Sequence, residues 1–256
     1  MRPLLEARSV SVSFGGVRAL VDVDLRVEPG QLVGLIGPNG AGKTTFIDAI
    51  SGFVAHRGKV ELDGCDLGSR APHERAALGL ARTWQSIELF DDLTVRENLV
   101  VAAYRPSPWA AIKELVSAPV ASTRAVEEAV RLFGLEAKVD ALPEDLSQAE
   151  RKLVGVARAL AAAPRLLCVD EPAAGLDVTE SERLGRRLRE IADAGTAMLL
   201  VDHDMGLVLS ISDSVVVLEF GRVIARGAPE AVRRDPRVIA AYLGSAAWAA
   251  DGGNVR

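Results

Sequence analysis

The residues best suited to chemistry begin at Gly37-Pro38-Asn39-Gly40-Ala41-Gly42-Lys43-Thr44, a G-x-x-x-x-G-K-[ST] run. Backbone N–H groups of such a loop point inward and cradle a β-phosphate, and a helix beginning near Gly42 adds the positive end of its dipole. Lys43 brings a point charge to the β- and γ-phosphates, Thr44 brings a hydroxyl to Mg2+, and Thr45 carries the run into the helix. The second candidate is Leu166-Leu167-Cys168-Val169-Asp170-Glu171, an apolar strand ending in two carboxylates. Beside a phosphate loop, Asp170 reaches the metal shell. Glu171, one residue past the strand, polarises an attacking water, and apolar surroundings make its carboxylate a stronger base. Together these residues predict a nucleotide site, without saying what the nucleotide is for.

Such a site needs strands to deliver its residues. Val21, Val23, Leu25 and Val27 alternate with Asp22, Asp24 and Arg26, the period of a half-buried strand. Pro29-Gly30 turns the chain into a short buried strand, Leu32 to Ile36, which feeds the loop and a helix to about Phe53. Lys59 to Leu62, closing at Asp63-Gly64, reads as another strand. From Thr94 to Leu160 the pattern turns helical, broken at Pro106, Pro108, Pro119 and Pro143. Thr94 with Glu97, and Ser147 with Glu150, have capping-box spacing. Alternation then returns: strand Arg165 to Asp170, helix Thr179 to Asp193, strand Ala197 to Asp202. A hairpin follows through Phe220-Gly221-Arg222, then two short helices from Pro229 to Leu243. The fold class expected is α/β with a β-rich N-terminal part. The core is residues 1–93 and 161–244, the inserted helical subdomain 94–160, and the frayed tail 245–256.

Bulk properties narrow the class. The chain has 256 residues, a net charge of −5 and only 4% aromatics, so the core rests on Leu, Val, Ile and Ala. The acidic balance argues against a nucleic-acid partner. The basic run Arg183 to Arg189 reads as a solvated helix face. No apolar run approaches the ~18 residues that span a bilayer, and Met1 to Val10 lacks the apolar stretch of a signal peptide. The expected location is cytoplasmic, with any membrane role exerted through a partner. Cys65 and Cys168 fit no metal spacing, and Cys168 reads as a reduced core residue.

With these motifs in this order, the chain resembles the ABC ATPase family over nearly its whole length, a P-loop NTPase fold with ATP and Mg2+ as ligands. The resemblance implies that Phe14 stacks on adenine, with a core Phe as the other reading. Gln85, in Arg82-Thr83-Trp84-Gln85, would link Mg2+ to the helical subdomain. Ala174-Gly175-Leu176-Asp177 would cross a dimer interface. His203 would contact the γ-phosphate, against the plainer reading of a satisfied strand-end histidine. The signature motif departs from its family form, Leu-Ser-Gly-Gly-Gln. Here it is Leu146-Ser147-Gln148-Ala149-Glu150, with Ser147 kept at a helix start, a Cβ at Ala149 and an added charge at Glu150. A weakened composite site is expected on that side.

Further segments are similar to the ATPases of branched-chain amino acid importers: Gly37 to Thr45, Leu89 to Leu99, Asp202-His203-Asp204-Met205, and Val238 to Gly244. That implies membrane permease subunits, a second ATPase and an external solute-binding protein, with the chain at the cytoplasmic face of the membrane. Urea and other amide importers share these features, and import rather than export follows from the resemblance alone. Two other classes compete: a soluble ABC ATPase of translation or DNA repair, and a regulatory nucleotide-binding subunit that does not hydrolyse. A single phosphate loop and a short helical stretch argue against the first, and Glu171 with His203 against the second. A nucleotide-dependent kinase lacks an acceptor site. Pro106 to Pro119, with Trp109 and Leu115, reads as packing inside the helical subdomain or as a helix facing the permease.

Overall fold

The computed structural model describes residues 2–84, 89–103 and 124–243. The strands are β1 (Leu5–Phe14), β2 (Val17–Val27), β3 (Leu32–Ile36), β4 (Arg57–Leu62), β5 (Cys65–Asp66), β6 (Leu80–Arg82), β7 (Leu166–Asp170), β8 (Ala197–Val201), β9 (Ser214–Glu219) and β10 (Arg222–Gly227). The helices are α1 (Lys43–Ser51), α2 (Pro72–Ala77), α3 (Val95–Ala103), α4 (Arg124–Phe133), α5 (Gln148–Ala161), α6 (Val178–Asp193), α7 (Met205–Ile211), α8 (Pro229–Arg233) and α9 (Pro236–Leu243). They form two compact units, Met1–Arg82 with Arg165–Arg256, and Thr83–Pro164.

The first unit holds two sheets, an antiparallel one in the order β2-β1-β4-β5 and a larger one in the order β10-β9-β3-β8-β7-β6. In the larger sheet β9, β3, β8, β7 and β6 run parallel, and β10 returns antiparallel as the hairpin partner of β9. All five residues of β3, β7 and β8 are buried, as their unbroken apolar runs require of strands covered on both faces. In β2 the buried residues Leu20, Val23, Leu25 and Val27 are set off by exposed Asp22, Asp24 and Arg26.

One apolar core joins both sheets to α1 through Phe46, Ile47 and Ile50, packed with Leu5, Leu20, Leu25, Leu35 and Leu199. Each fully buried side chain of this size contributes about 1.5–3 kcal/mol. The C-terminal end of α1 is closed by Gly52 at φ 87° and by the buried Arg75, whose Nη1 donates to the Ala49 and Ile50 carbonyls at 2.8 and 2.9 Å. A cation there meets both the orphaned carbonyls and the negative end of the dipole.

In the second unit α3, α4 and α5 pack on one another, with Val126, Ala129, Val130 and Phe133 forming the buried face of α4. Thr94 and Glu97 cap α3 reciprocally: the Thr94 N–H donates to Glu97 Oε2 at 2.8 Å and the Glu97 N–H donates to Thr94 Oγ1 at 3.2 Å. The buried Asn98 amide donates to the Phe90, Leu93 and Thr94 carbonyls at 3.1, 3.0 and 3.1 Å, which fixes the segment leading into α3. Among the described residues no helix is long and apolar enough to cross a membrane.

Candidate nucleotide site

The parallel strands β3, β8 and β7 are neighbours, and each ends in candidate residues. Leu35 pairs with Val201 and Val201 with Asp170, so the ends of three strands lie level. With strands about 4.8 Å apart, the loop after β3, the Asp202-His203 step after β8 and the Asp170-Glu171 pair after β7 share one edge of the sheet.

Glycine is required at two loop positions. Gly37 has φ 152°, and a Cβ there would lie 2.1 Å from the Leu218 carbonyl oxygen. Gly42 has φ 104°, and its Cβ would meet the Ala19 oxygen and Leu20 Cδ2, each at 2.7 Å. The outer side of the loop is tied down as well. The Gly221 N–H donates to the Ala41 carbonyl at 3.0 Å, and the Val21 N–H donates to the Gly221 carbonyl at 2.8 Å. Gly42 is the N-cap of α1 and no side chain caps it, so the first-turn N–H groups are left for an anion. Lys43 is buried, and its ammonium donates to the carbonyls of Gly37 at 2.7 Å and Pro38 at 3.1 Å. Burial pulls its pKa below the ordinary lysine range, opposed by Glu171, Asp170 and Asp202. Pro38 and Thr45 are half-buried, Ala41 is buried, and Asn39, Gly40 and Thr44 are exposed.

Asp170 is buried at the end of β7, and burial pushes its carboxyl up to about 6, against the pull of Arg82. Arg82 Nη2 is 3.9 Å from Asp170 Oδ2, while Nη1 is 2.6 Å from Asp48 Oδ1 on α1. The Asp170 carboxylate and the Thr44 hydroxyl are hard oxygen donors, the kind a divalent cation bound mainly by phosphate can take. Among the described residues no cluster of three or more His, Cys, Asp or Glu could hold a metal by itself. Glu171 is half-buried with φ 47°, a left-handed conformation that costs a non-glycine residue on the order of 1 kcal/mol or more. Its N–H donates to the Val201 carbonyl at 2.7 Å, which holds it beside β8.

His203 is exposed, with Nδ1 3.5 Å from Oδ1 of the buried Asp202. Asp202 Oδ2 accepts from the Ala173 N–H at 3.2 Å and Oδ1 from the Asp204 N–H at 3.0 Å. Burial raises the Asp202 pKa and these N–H donors lower it. Asp202, Arg82 and Asp48 join the site although the sequence assigns them no chemical role of their own. Asp202 had a signal, a carboxylate at the end of an apolar strand, whereas Arg82 and Asp48 had none because their pairing spans 34 positions.

Phe14 stands at the end of β1, 53% exposed, so it is no core residue. Gln85 and Pro106 to Pro119 lie outside the described residues. Ser147 belongs to the second unit, where it is the N-cap of α5. Its Oγ accepts from the Glu150 N–H at 3.2 Å and its N–H donates to Glu150 Oε2 at 2.8 Å, while Lys138 Nζ lies 3.4 Å from Glu150 Oε1. Asp177 likewise caps α6, reciprocally with Glu180. Cys168 is wholly buried, its thiol pushed up to about 12 by burial.

A parallel sheet that presents a glycine-rich loop, a buried Asp and a following Glu at one edge defines a P-loop ATPase, here with a helical unit inserted between β6 and β7. The ABC transporter family model matches residues 20–174, and the model for the branched-chain amino acid ATP-binding cassette transporter matches residues 222–247. The chain belongs to the ABC transporter family as an ATP-hydrolysing cassette. It is 37% identical, over 96% of its length and 99% of the relative's, to the high-affinity branched-chain amino acid transport ATP-binding protein BraF of Pseudomonas aeruginosa. It is 35% identical, over 96% and 99%, to the corresponding protein LivG of Escherichia coli K12. A solved ATP-binding cassette of an ABC transporter superposes with a TM-score of 0.83 at 28% identity, over 94% of this chain and 99% of that one.

Proposed function

We propose that this chain binds and hydrolyses ATP to drive import of branched-chain amino acids, or of related small polar solutes such as urea and amides, through a membrane transporter. The observation that carries the reading is the shared edge of β3, β8 and β7, where Lys43, Asp170, Glu171 and His203 converge. The solute class is supported by the relatives' function and by the C-terminal match at residues 222–247.

In this reading the amides of Gly37 to Thr45 hold the phosphates and Lys43 swings from the loop carbonyls to the β- and γ-oxygens. Phe14 would stack on the adenine, and Thr44 and Asp170 would hold Mg2+, which would supply charge neutralisation on the phosphate oxygens. Glu171 orients water for in-line attack, and His203, held against Asp202, donates to the γ-phosphate oxygens as charge develops. The catalytic core extends over residues 1–93 and 161–244, with 94–160 as the helical subdomain and Ser147 offered to a partner's nucleotide.

We propose further that the chain works at the cytoplasmic face against permease subunits and pairs with a related cassette. The pairing is supported by the capping box at Ser147, because Glu150 takes up the N-terminal amide and adds charge where an anion would approach. The test uses proteoliposomes carrying the complete transporter with its solute-binding protein. Uptake of labelled leucine that needs internal ATP, and that Glu171→Gln abolishes while ATP still binds, supports the reading. ATP hydrolysis without leucine uptake, but with labelled urea uptake, moves the solute to the amide class.

A further inference from the structure

β6 and β7 run side by side, with Arg82 opposite Cys168 and so two positions short of Asp170. The guanidinium of Arg82 stands between two carboxylates. Its Nη1 donates to Asp48 Oδ1 on α1 at 2.6 Å, a short charge-assisted hydrogen bond. Its Nη2 lies 3.9 Å from Asp170 Oδ2, near enough to attract that carboxylate and beyond hydrogen-bonding reach. The unequal distances have a local cause, because α1 and the residues just after it meet Arg82 twice. One contact is the Asp48 carboxylate, and the other is the Phe53 ring, whose centroid is 5.6 Å from the guanidinium carbon. Asp48 and Phe53 are joined in turn, since the Phe53 N–H donates to the Asp48 carbonyl at 2.9 Å. The side chains of Arg82 and Asp170 are 7% and 1% exposed, so neither charge has ready access to water.

We propose that Asp48 is a positioning residue for metal binding: it holds the Arg82 guanidinium on α1, short of a hydrogen bond to Asp170, and so leaves the Asp170 carboxylate to the Mg2+ that accompanies ATP. The proposal rests on the nucleotide reading above and adds a residue that acts through Arg82 rather than by ligating the metal. Opposite charges attract more strongly as their surroundings lose water, so closure of Arg82 onto Asp170 is favourable unless something holds it back. Without Asp48, Asp170 is the carboxylate to which the guanidinium turns. An arginine hydrogen-bonded there takes up an oxygen that the metal would use, and its charge repels a dication at close range. The effect therefore falls on the metal and not on the cradle of amides around the phosphates.

The test titrates the purified full-length chain with a fluorescent ATP analogue, once in EDTA and once across a range of Mg2+. Mn2+ binding to the nucleotide-loaded chain is read by electron paramagnetic resonance, and folding by thermal unfolding. Asp48→Ala removes the carboxylate, and alanine suits a helix, so the variant keeps α1. The expected result is a Mg2+ requirement for tight nucleotide binding, and a Kd for Mn2+, each raised roughly fivefold, the scale of one hydrogen bond gained between Arg82 and Asp170. Affinity in EDTA should stay within about twofold of wild type, since the amides are untouched. Adding Arg82→Met to Asp48→Ala removes the competing cation and should return the metal requirement to the wild-type level, which a general loosening of the site would not do. A wild-type metal response in Asp48→Ala would sink the proposal, as would a double variant that binds metal no better than Asp48→Ala. A wild type that binds no nucleotide would instead overturn the underlying reading.

Discussion

The Arg82 guanidinium donates to the Asp48 carboxylate at 2.6 Å, and this contact ties the last residue of β6 to the helix that follows the phosphate loop. The same guanidinium lies 3.9 Å from Asp170 and 5.6 Å over the Phe53 ring. Three parts of the site, α1, β6 and the end of β7, are thereby referenced to one buried cation, whose side chain is only 7% exposed.

Removing that cation leaves two carboxylates facing each other in a poorly solvated place. Arg82→Met should therefore lower stability by about 3 kcal/mol, the low end for a broken buried pair because Asp48 is partly exposed. Denaturant unfolding checks this, and a loss below about 1 kcal/mol would mean that water reaches Asp170 and Asp48 freely.

Glu171 combines a chemical and a conformational role that two substitutions separate. Glu171→Gln keeps shape and strain but removes the base, so turnover should fall at least about a hundredfold with ATP binding retained. Glu171→Gly also removes the base, and it relieves the φ of 47°, so the apo chain should gain about 1 kcal/mol of stability. Loss of stability in the glycine variant would show that the side chain contributes more packing than strain.

Asp170 gives a pH dependence with a definite sign. Its folded pKa, about 6, lies above the ordinary aspartate value of 3.8, so between those values the folded chain binds more protons than the unfolded chain. Its contribution to stability is present below pH 4 and is lost as pH rises through 6. Asp170→Asn, neutral throughout, should gain stability relative to wild type as pH climbs from 4 to 7 in metal-free buffer. A difference between the two that stays flat with pH would place the carboxyl in a well-solvated setting.

At the signature end, Ser147→Ala should cost about 1 kcal/mol through loss of the cap. Glu150→Gln preserves the capping box, since glutamine fills the same role, and removes the charge. Combined with Ala149→Gly, it should raise Mg-ATP turnover by the purified chain severalfold while changing stability by less than the serine variant does. Unchanged turnover would mean that another step limits hydrolysis in the chain alone.

The sequence by itself determined the strands and helices whose patterns are local and periodic. β3 emerges as Leu32–Ile36, the Phe220-Gly221 hairpin lies where it was expected, and the capping boxes at Thr94 and Ser147 form as their spacing required. It also carried the family, because the phosphate loop and the Asp170-Glu171 pair are short motifs whose physics resides in adjacent residues. Weak local signals hid other elements. β6 is three residues long, α2 buries only Arg75, and the apolar run of α7 has no period.

Tertiary structure alone decided which distant groups share the site. Parallel pairing of β3, β8 and β7 brings positions 37, 170 and 202 to one edge, although no local pattern links them. The Arg82 contacts with Asp48 and Asp170 and the Asp202 contacts with Ala173 and His203 arise the same way. Each joins residues whose types are unremarkable where they stand in the chain. Their roles come from burial and from the low dielectric surroundings that strengthen a contact only after the sheet has formed around it.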